Sequence, residues 1–422
     1  MIRAAGAEPS ARAAGWAHRT DIQGLRAVAI ALVVGFHLWP ERLPGGFVGV
    51  DVFFVVSGFL ITGHLLRDEP TGGRDLAVFW ARRIRRLLPA ALTVITAVLF
   101  VTWLFGPVSQ WRKTGLQAVS SAVYLQNWQL APSSTAAGDP HPTALQHYWS
   151  LSVEEQFYLL WPVLLLSCVL LARHRRCGLL PVARVAMGLV ALGSIVFSMW
   201  FTQAHPASAY FVTPARMWEL ALGGLSAALV RPVRTARAPV LRGAAVWLGF
   251  AMIALAATTF HAARVPVALA LLPVLGTAAV IAADVGRGPT PNSLLRLPPV
   301  QYLGDISYSV YLWHWPLIVL VPTVTGVPLT NRWKLAVVVG ALALAALTKR
   351  QIEDRFRGGG PRFSLVAPFR WAAAGMAGVI ALGGLEVVGA NARTHASPGL
   401  VDTAPENLIA PGPGPAAEVL WA

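Results

Sequence analysis

The sequence predicts an all-α polytopic integral membrane protein with about 11 transmembrane helices. Three observations carry that prediction. Of the 422 residues 55% are hydrophobic and only 13% charged, about half the charge of an average soluble domain, and the mean hydropathy is +0.58. The apolar residues fall in blocks of about twenty, the length that crosses a bilayer core. The basic residues sit in short segments between those blocks, so the net charge of +15 describes membrane topology and not a nucleic-acid partner.

Eleven spans follow in order, at roughly 22–39, 47–66, 84–105, 150–171, 185–202, 212–230, 243–260, 266–284, 302–321, 333–349 and 371–390. With the N-terminus cytoplasmic, 25 of the 34 Lys and Arg lie in inside segments and seven in outside ones, a strong positive-inside bias. Residues 1–20 form a cytoplasmic arm without an early apolar run, so the first span is expected to act as a signal anchor. The odd number of spans places residues 391–422, rich in Pro, Gly and Ala, outside as a disordered tail. Within the long outside segment 106–149, GLQAVSSAVYLQNWQL reads as a re-entrant or interfacial helix. Cys168 and Cys177, one in a span and one in a basic loop, make neither a disulfide scaffold nor a metal site.

Polar clusters interrupt these spans. In the first, Arg26 and His37 are eleven residues apart, about three turns plus 20°, so they share a helix face about 16 Å apart. A snorkelling Arg and a boundary His on a simple anchor would look the same. A neutral imidazole can also accept a hydroxyl proton, and Arg26 suits a phosphate or carboxylate. The second, GGFVGVDVFFVVSGFLIT, carries four glycines that allow close approach, with Ser57 on a polar seam. Its Asp51 is placed to orient His37 or to pair with a cation. The third, FWARRIRRLLPA, puts Arg82, Arg83, Arg85 and Arg86 at the cytoplasmic entry of span three. They read as a positive-inside stop or as a phosphate clamp, since Arg82/Arg85 or Arg83/Arg86 share a face. Such a pair suits a nucleotide-bearing acyl donor such as coenzyme A.

Further along, QHYWSLSVEEQFYLLWP opens span four with Ser150, Ser152, Glu154, Glu155, Gln156 and Tyr158. Adjacent carboxylates diverge on a helix, so one faces the bundle and the other the rim; charge complementarity at the helix start would also favour acids there. In YLGDISYSVYLWHWPLIVL, Ser307, Tyr311 and His314 fall at i, i+4 and i+7, one polar stripe. Arg216 and Glu219 make a plausible intramembrane ion pair. The His residues are too scattered for a metal site, and none is expected.

At these residues the sequence strongly resembles the acyltransferase 3 family, the O-antigen acetylase-like integral membrane acyltransferases. The matching stretches are Asp21–His37, Gly49–Phe59, Phe79–Arg86, Trp149–Tyr158 and Tyr302–His314. The resemblance implies a 10-helix acyltransferase core over 21–360, followed by a linker and eleventh span over 361–390. It implies transfer of an acyl group, expected to be acetyl, from cytoplasmic acyl-CoA to a hydroxyl of a cell-envelope carbohydrate or lipid-linked glycan. It makes His37 essential, as general base or acyl carrier, includes Arg26 in the site, assigns the Arg motif to donor binding and carries Glu154 over as the carboxylate of the fourth-span motif. In our reading Glu154 orients or neutralises the imidazolium. Relatives with an eleventh span often continue into an extracytoplasmic SGNH hydrolase-like domain, and no G-D-S block follows here. A separate SGNH-type partner, a self-sufficient membrane part or a longer chain would each fit. The rival reading is a glycolipid or solute transporter using the same seam without chemistry; no inverted repeat favours it.

Overall fold

The computed structural model describes residues 19–132, 142–229, 239–261, 267–283, 291–357 and 365–396. Among these, every regular element is helical, and a helix stands at each of the eleven expected positions. In order they are α1 (Thr20–Leu38), α2 (Gly49–Arg67) and α3 (Gly73–Phe105), then two shorter helices of the outside segment, α4 (Val108–Ala122) and α5 (Gln126–Leu130). Next come α6 (Tyr148–Arg175), α7 (Leu179–Ala204), α8 (Thr213–Leu229), α9 (Pro239–Thr259) and α10 (Val267–Ala283). The last long helices are α11 (Pro298–Thr325), α12 (Asn331–Thr348) and α13 (Val366–Ala396). Among the described residues, eight helices are long and apolar enough to cross a membrane by length and composition. The protein is a polytopic membrane protein.

The apolar exterior is what lipid demands. On α7 the exposed side chains Val185, Leu189, Leu192, Val196 and Met199 recur every three or four residues, a continuous stripe for acyl chains and not for water. Between helices lipid gives no hydrophobic drive, so association rests on close packing through small residues. α2 and α8 show this most sharply. A Cβ on Gly58 would collide with the Leu220 carbonyl, and one on Gly223 with the Val55 carbonyl, so each helix sits in a notch of the other. α1 packs on α2 and α11, and α11 on α12, which sets the ends of these four helices around one interior.

Several boundaries differ from expectation. α3 begins eleven residues before residue 84, because FWARRIRR continues the helix instead of preceding it. α13 runs to Ala396, so the first residues of the expected tail are helical; the rest of that tail, and residues 1–18 of the expected arm, lie outside the described residues. Beyond Thr348 α12 widens into a π-helical stretch, Lys349–Glu353. The outside segment folds as two helices with a break at Val123–Leu125, and α4 packs along α13. The eleventh helix is therefore docked on the bundle through the outside segment and α3.

Candidate active site

α1 ends at Leu38, so His37 stands on its last turn, where the backbone leaves the helix. α11 crosses beside it because Gly304 lets its backbone approach Gln23. That crossing brings His314 Nε2 to 3.3 Å from His37 Nδ1. His314 is fully buried, and its Nδ1 lies 2.7 Å from the Tyr311 carbonyl. The Trp315 ring packs on His37 at 4.7 Å between centroids, and its indole N–H donates to the Thr143 carbonyl at 2.9 Å. The Tyr311 hydroxyl shares a 2.6 Å hydrogen bond with Ser150 and donates to the His147 carbonyl at 3.1 Å. Thr143 and His147 are thus pinned beside the imidazoles.

His147, which the sequence reading did not single out, completes the cluster. Its ring lies 5.7 Å from that of His314 and 5.5 Å from that of Tyr311. Both ring nitrogens are buried without a hydrogen-bond partner. Burial, reinforced by the neighbouring His314 and His37, pushes its pKa well below the usual histidine value, so His147 is neutral at physiological pH.

Deeper in the bundle stands Glu154. Its carboxylate accepts from the Ser57 hydroxyl of α2 and from the Tyr158 hydroxyl one turn further along α6. The Arg83 guanidinium stacks 3.2 Å over the Tyr158 ring, joining the Arg motif of α3 to Glu154 through a cation–π contact. Arg26 donates to Gln23 at 3.1 Å, and the carboxylates of Asp305, Glu154 and Glu353 lie within its electrostatic reach. Arg86 has Arg26, Arg83, Arg357 and Glu353 as charged neighbours. Glu353 was missed in the sequence, where it reads as part of a cytoplasmic basic segment. The π-helical register turns it inward, where it accepts from the Ser309 hydroxyl. Lys349, from the same stretch, bonds Asp305 at 2.8 Å.

Two sequence expectations change. Asp51 does not orient His37: it pairs with Arg216, which also meets Glu219 at 3.1 Å, so the expected Arg216–Glu219 pair is a triad. Nor does Glu154 contact His37; the ring's hydrogen-bond partner is His314. Of the two arginine pairs that share a face, Arg83 with Arg86 is the one nearer to Arg26 and Glu154. Arg82 and Arg86 are exposed, the Arg85 Nε donates to the Phe356 carbonyl at 2.9 Å, and Arg83 is half-buried against Tyr158 while Arg86 keeps Arg26 and Glu353 as charged neighbours. The stripe on α11 is real for Tyr311 and His314, while the Ser307 hydroxyl is buried without a partner. Among the described residues no group of three or more His, Cys, Asp or Glu is placed to hold a metal ion.

Charged neighbours thus link Arg86 and Arg83 to Arg26 and Glu154, and His37 stands eleven residues along α1 from Arg26. A family model described as an acyltransferase domain matches residues 19–349. The chain is 31% identical over 354 residues to the peptidoglycan O-acetyltransferase OatA of Listeria monocytogenes, covering 81% of this chain and 56% of that protein. It is 33% identical over 357 residues to the putative peptidoglycan O-acetyltransferase YrhL of Bacillus subtilis, covering 80% and 54%. Against the O-acetyltransferase OatA of Staphylococcus aureus the identity is 32% over 312 residues, covering 71% and 50%. The chain thus spans about half the length of these relatives. No solved structure matches it.

Proposed function

The chain belongs to this acyltransferase family, and from that premise we propose that it moves an acetyl group from acetyl-CoA on the cytoplasmic side to a hydroxyl of a cell-wall glycan outside. The observation that carries the reading is a half-buried imidazole at one end of α1 with guanidinium groups gathered near Arg26 toward its other end. A hydroxyl acceptor needs a base near neutral pH, and His37 supplies one. The donor's phosphates need cations, which Arg83 and Arg86 offer, with Arg357 beside them. Arg26 is placed to hold negative charge on donor or acceptor. Glu154, held by Ser57 and Tyr158, keeps that stretch of the interior polar and faces Arg26 instead of the imidazole.

The relatives' names support a wall glycan as acceptor, and the positive-inside bias supports a cytoplasmic N-terminus. An extracytoplasmic SGNH-type transferase acting with this chain is part of the same reading. The test scores base-labile acetate on isolated wall glycan from cells that lack their own copy of the gene and carry wild type or His37→Ala at matched levels. We expect acetate with wild type and a loss of about 100-fold or more in the variant, the scale of a missing general base. Acetate undiminished in His37→Ala would overturn the assignment of the base.

A further inference from the structure

The hydrogen bonds of the imidazole pair fix more than its position. His314 Nδ1 lies 2.7 Å from a carbonyl oxygen, which has no proton to give, so that nitrogen must carry the proton. In a neutral ring Nε2 is then a bare lone pair. The atom it faces, His37 Nδ1 at 3.3 Å, must therefore be the donor. The Val33 carbonyl one turn back also lies near the His37 ring. Neutral His37 consequently has its lone pair on Nε2.

We propose that His314 is a positioning residue for the transfer, setting His37 in the tautomer whose Nε2 is the base and accepting the Nδ1–H bond when that ring becomes charged. This rests on His37 being the base. The role is the one a carboxylate fills in a Ser-His-Asp triad, filled here by a neutral imidazole. The step balances as follows for a thioester donor. The acceptor O–H bond breaks, its proton passes to His37 Nε2, and its oxygen forms the new C–O bond at the acyl carbon. The C–S bond breaks, and the departing thiolate takes the proton back from Nε2. Through both halves His37 Nδ1–H stays bonded to His314 Nε2. The backbone carbonyl of Tyr311 cannot turn away from α11, so His314 is held in one tautomer by the helix itself. Trp315, pinned to Thr143, packs against the ring from another side and keeps the imidazole from rotating.

The experiment uses the full chain reconstituted in vesicles that enclose soluble wall-glycan oligomers and receive labelled acetyl-CoA outside. Wild type, His37→Ala, His314→Leu and His314→Gln are compared, each first shown by melting to be folded. A glutamine amide oxygen can accept the Nδ1–H that leucine cannot. Expected for His314→Leu is a fall in kcat of about 100-fold or more with the KM for acetyl-CoA unchanged, and for His314→Gln recovery to within about tenfold of wild type. A folded His314→Leu with wild-type kcat would overturn the inference, as would a Gln variant as impaired as the Leu one. Activity surviving in His37→Ala would overturn the catalytic reading and the inference with it, whereas a silent His37→Ala beside an unaffected His314→Leu would sink the inference alone. If wild type transfers no label, either the acetyl-CoA donor is wrong or the SGNH-type partner is needed for transfer, and in both cases the same variants scored by base-labile acetate in living cells decide on His314.

Discussion

Arg216 shows how much a single side chain can hold when it is out of water. Its guanidinium is 11% exposed, against 2% for Asp51 and 0% for Glu219, and it is the cation that both carboxylates share. Removing one partner from a buried ion group leaves uncompensated charge and costs about 3–5 kcal/mol. Arg216→Met is accordingly expected to lower stability by that order in a denaturant or thermal melt in detergent. Adding Asp51→Asn and Glu219→Gln should recover most of it, because the orphaned charges are then gone. Arg216 and Glu219 were legible as a pair because they sit three apart on one helix. Asp51 was legible as an acid that would orient His37 or pair with a cation; which of the two holds was not, since its partner lies 165 positions away and tertiary packing alone chooses it. His37 and Arg26 were legible for a similar reason, sharing a face at a spacing of eleven. The His37–His314 contact was not, since no local pattern encodes which of several intramembrane polar groups the crossing of α1 and α11 brings together.

Elements carry what residues cannot. The π-helical stretch Lys349–Glu353 adds a residue to the turn and so delivers Glu353 inward and Lys349 to Asp305; such bulges recur at functional sites. Hydropathy ended the tenth span at this point and gave no hint of the changed register. The outside segment was half legible. Its length marked it as something other than a span, and it is indeed two short helices, but only packing reveals that α4 lies against α13. At their crossing a Cβ on Gly383 would stand 2.8 Å from the Gly115 carbonyl oxygen. Gly383→Leu is expected to cost about 1–3 kcal/mol through overpacking. Melting should register that loss while the acetyl-transfer rate at low temperature stays unchanged, because the imidazole pair belongs to α1 and α11. A variant that melts like wild type would mean that this crossing does not hold α13.

For the whole molecule, the count of apolar blocks and the placement of arginines carried almost all of the architecture, since a bilayer leaves a chain few options. Topology is the remaining proposal at this scale. Alkaline phosphatase fused after residue 396 should be active, as an outside reporter is, and the same reporter fused after residue 70 should be silent; the reverse pattern would invert the orientation. The mutual notches of α2 and α8 have a mechanical meaning. Where backbone meets backbone, as at Gly58 with Leu220 and Gly223 with Val55, one helix can neither slide along nor roll over the other without collision. α2 carries Ser57, and α8 carries Arg216, so this post is the fixed frame of reference inside the bundle. Any breathing that admits a substrate or lets a product depart must be done by the helices around it, turning on α2 and α8 as a door turns on its jamb.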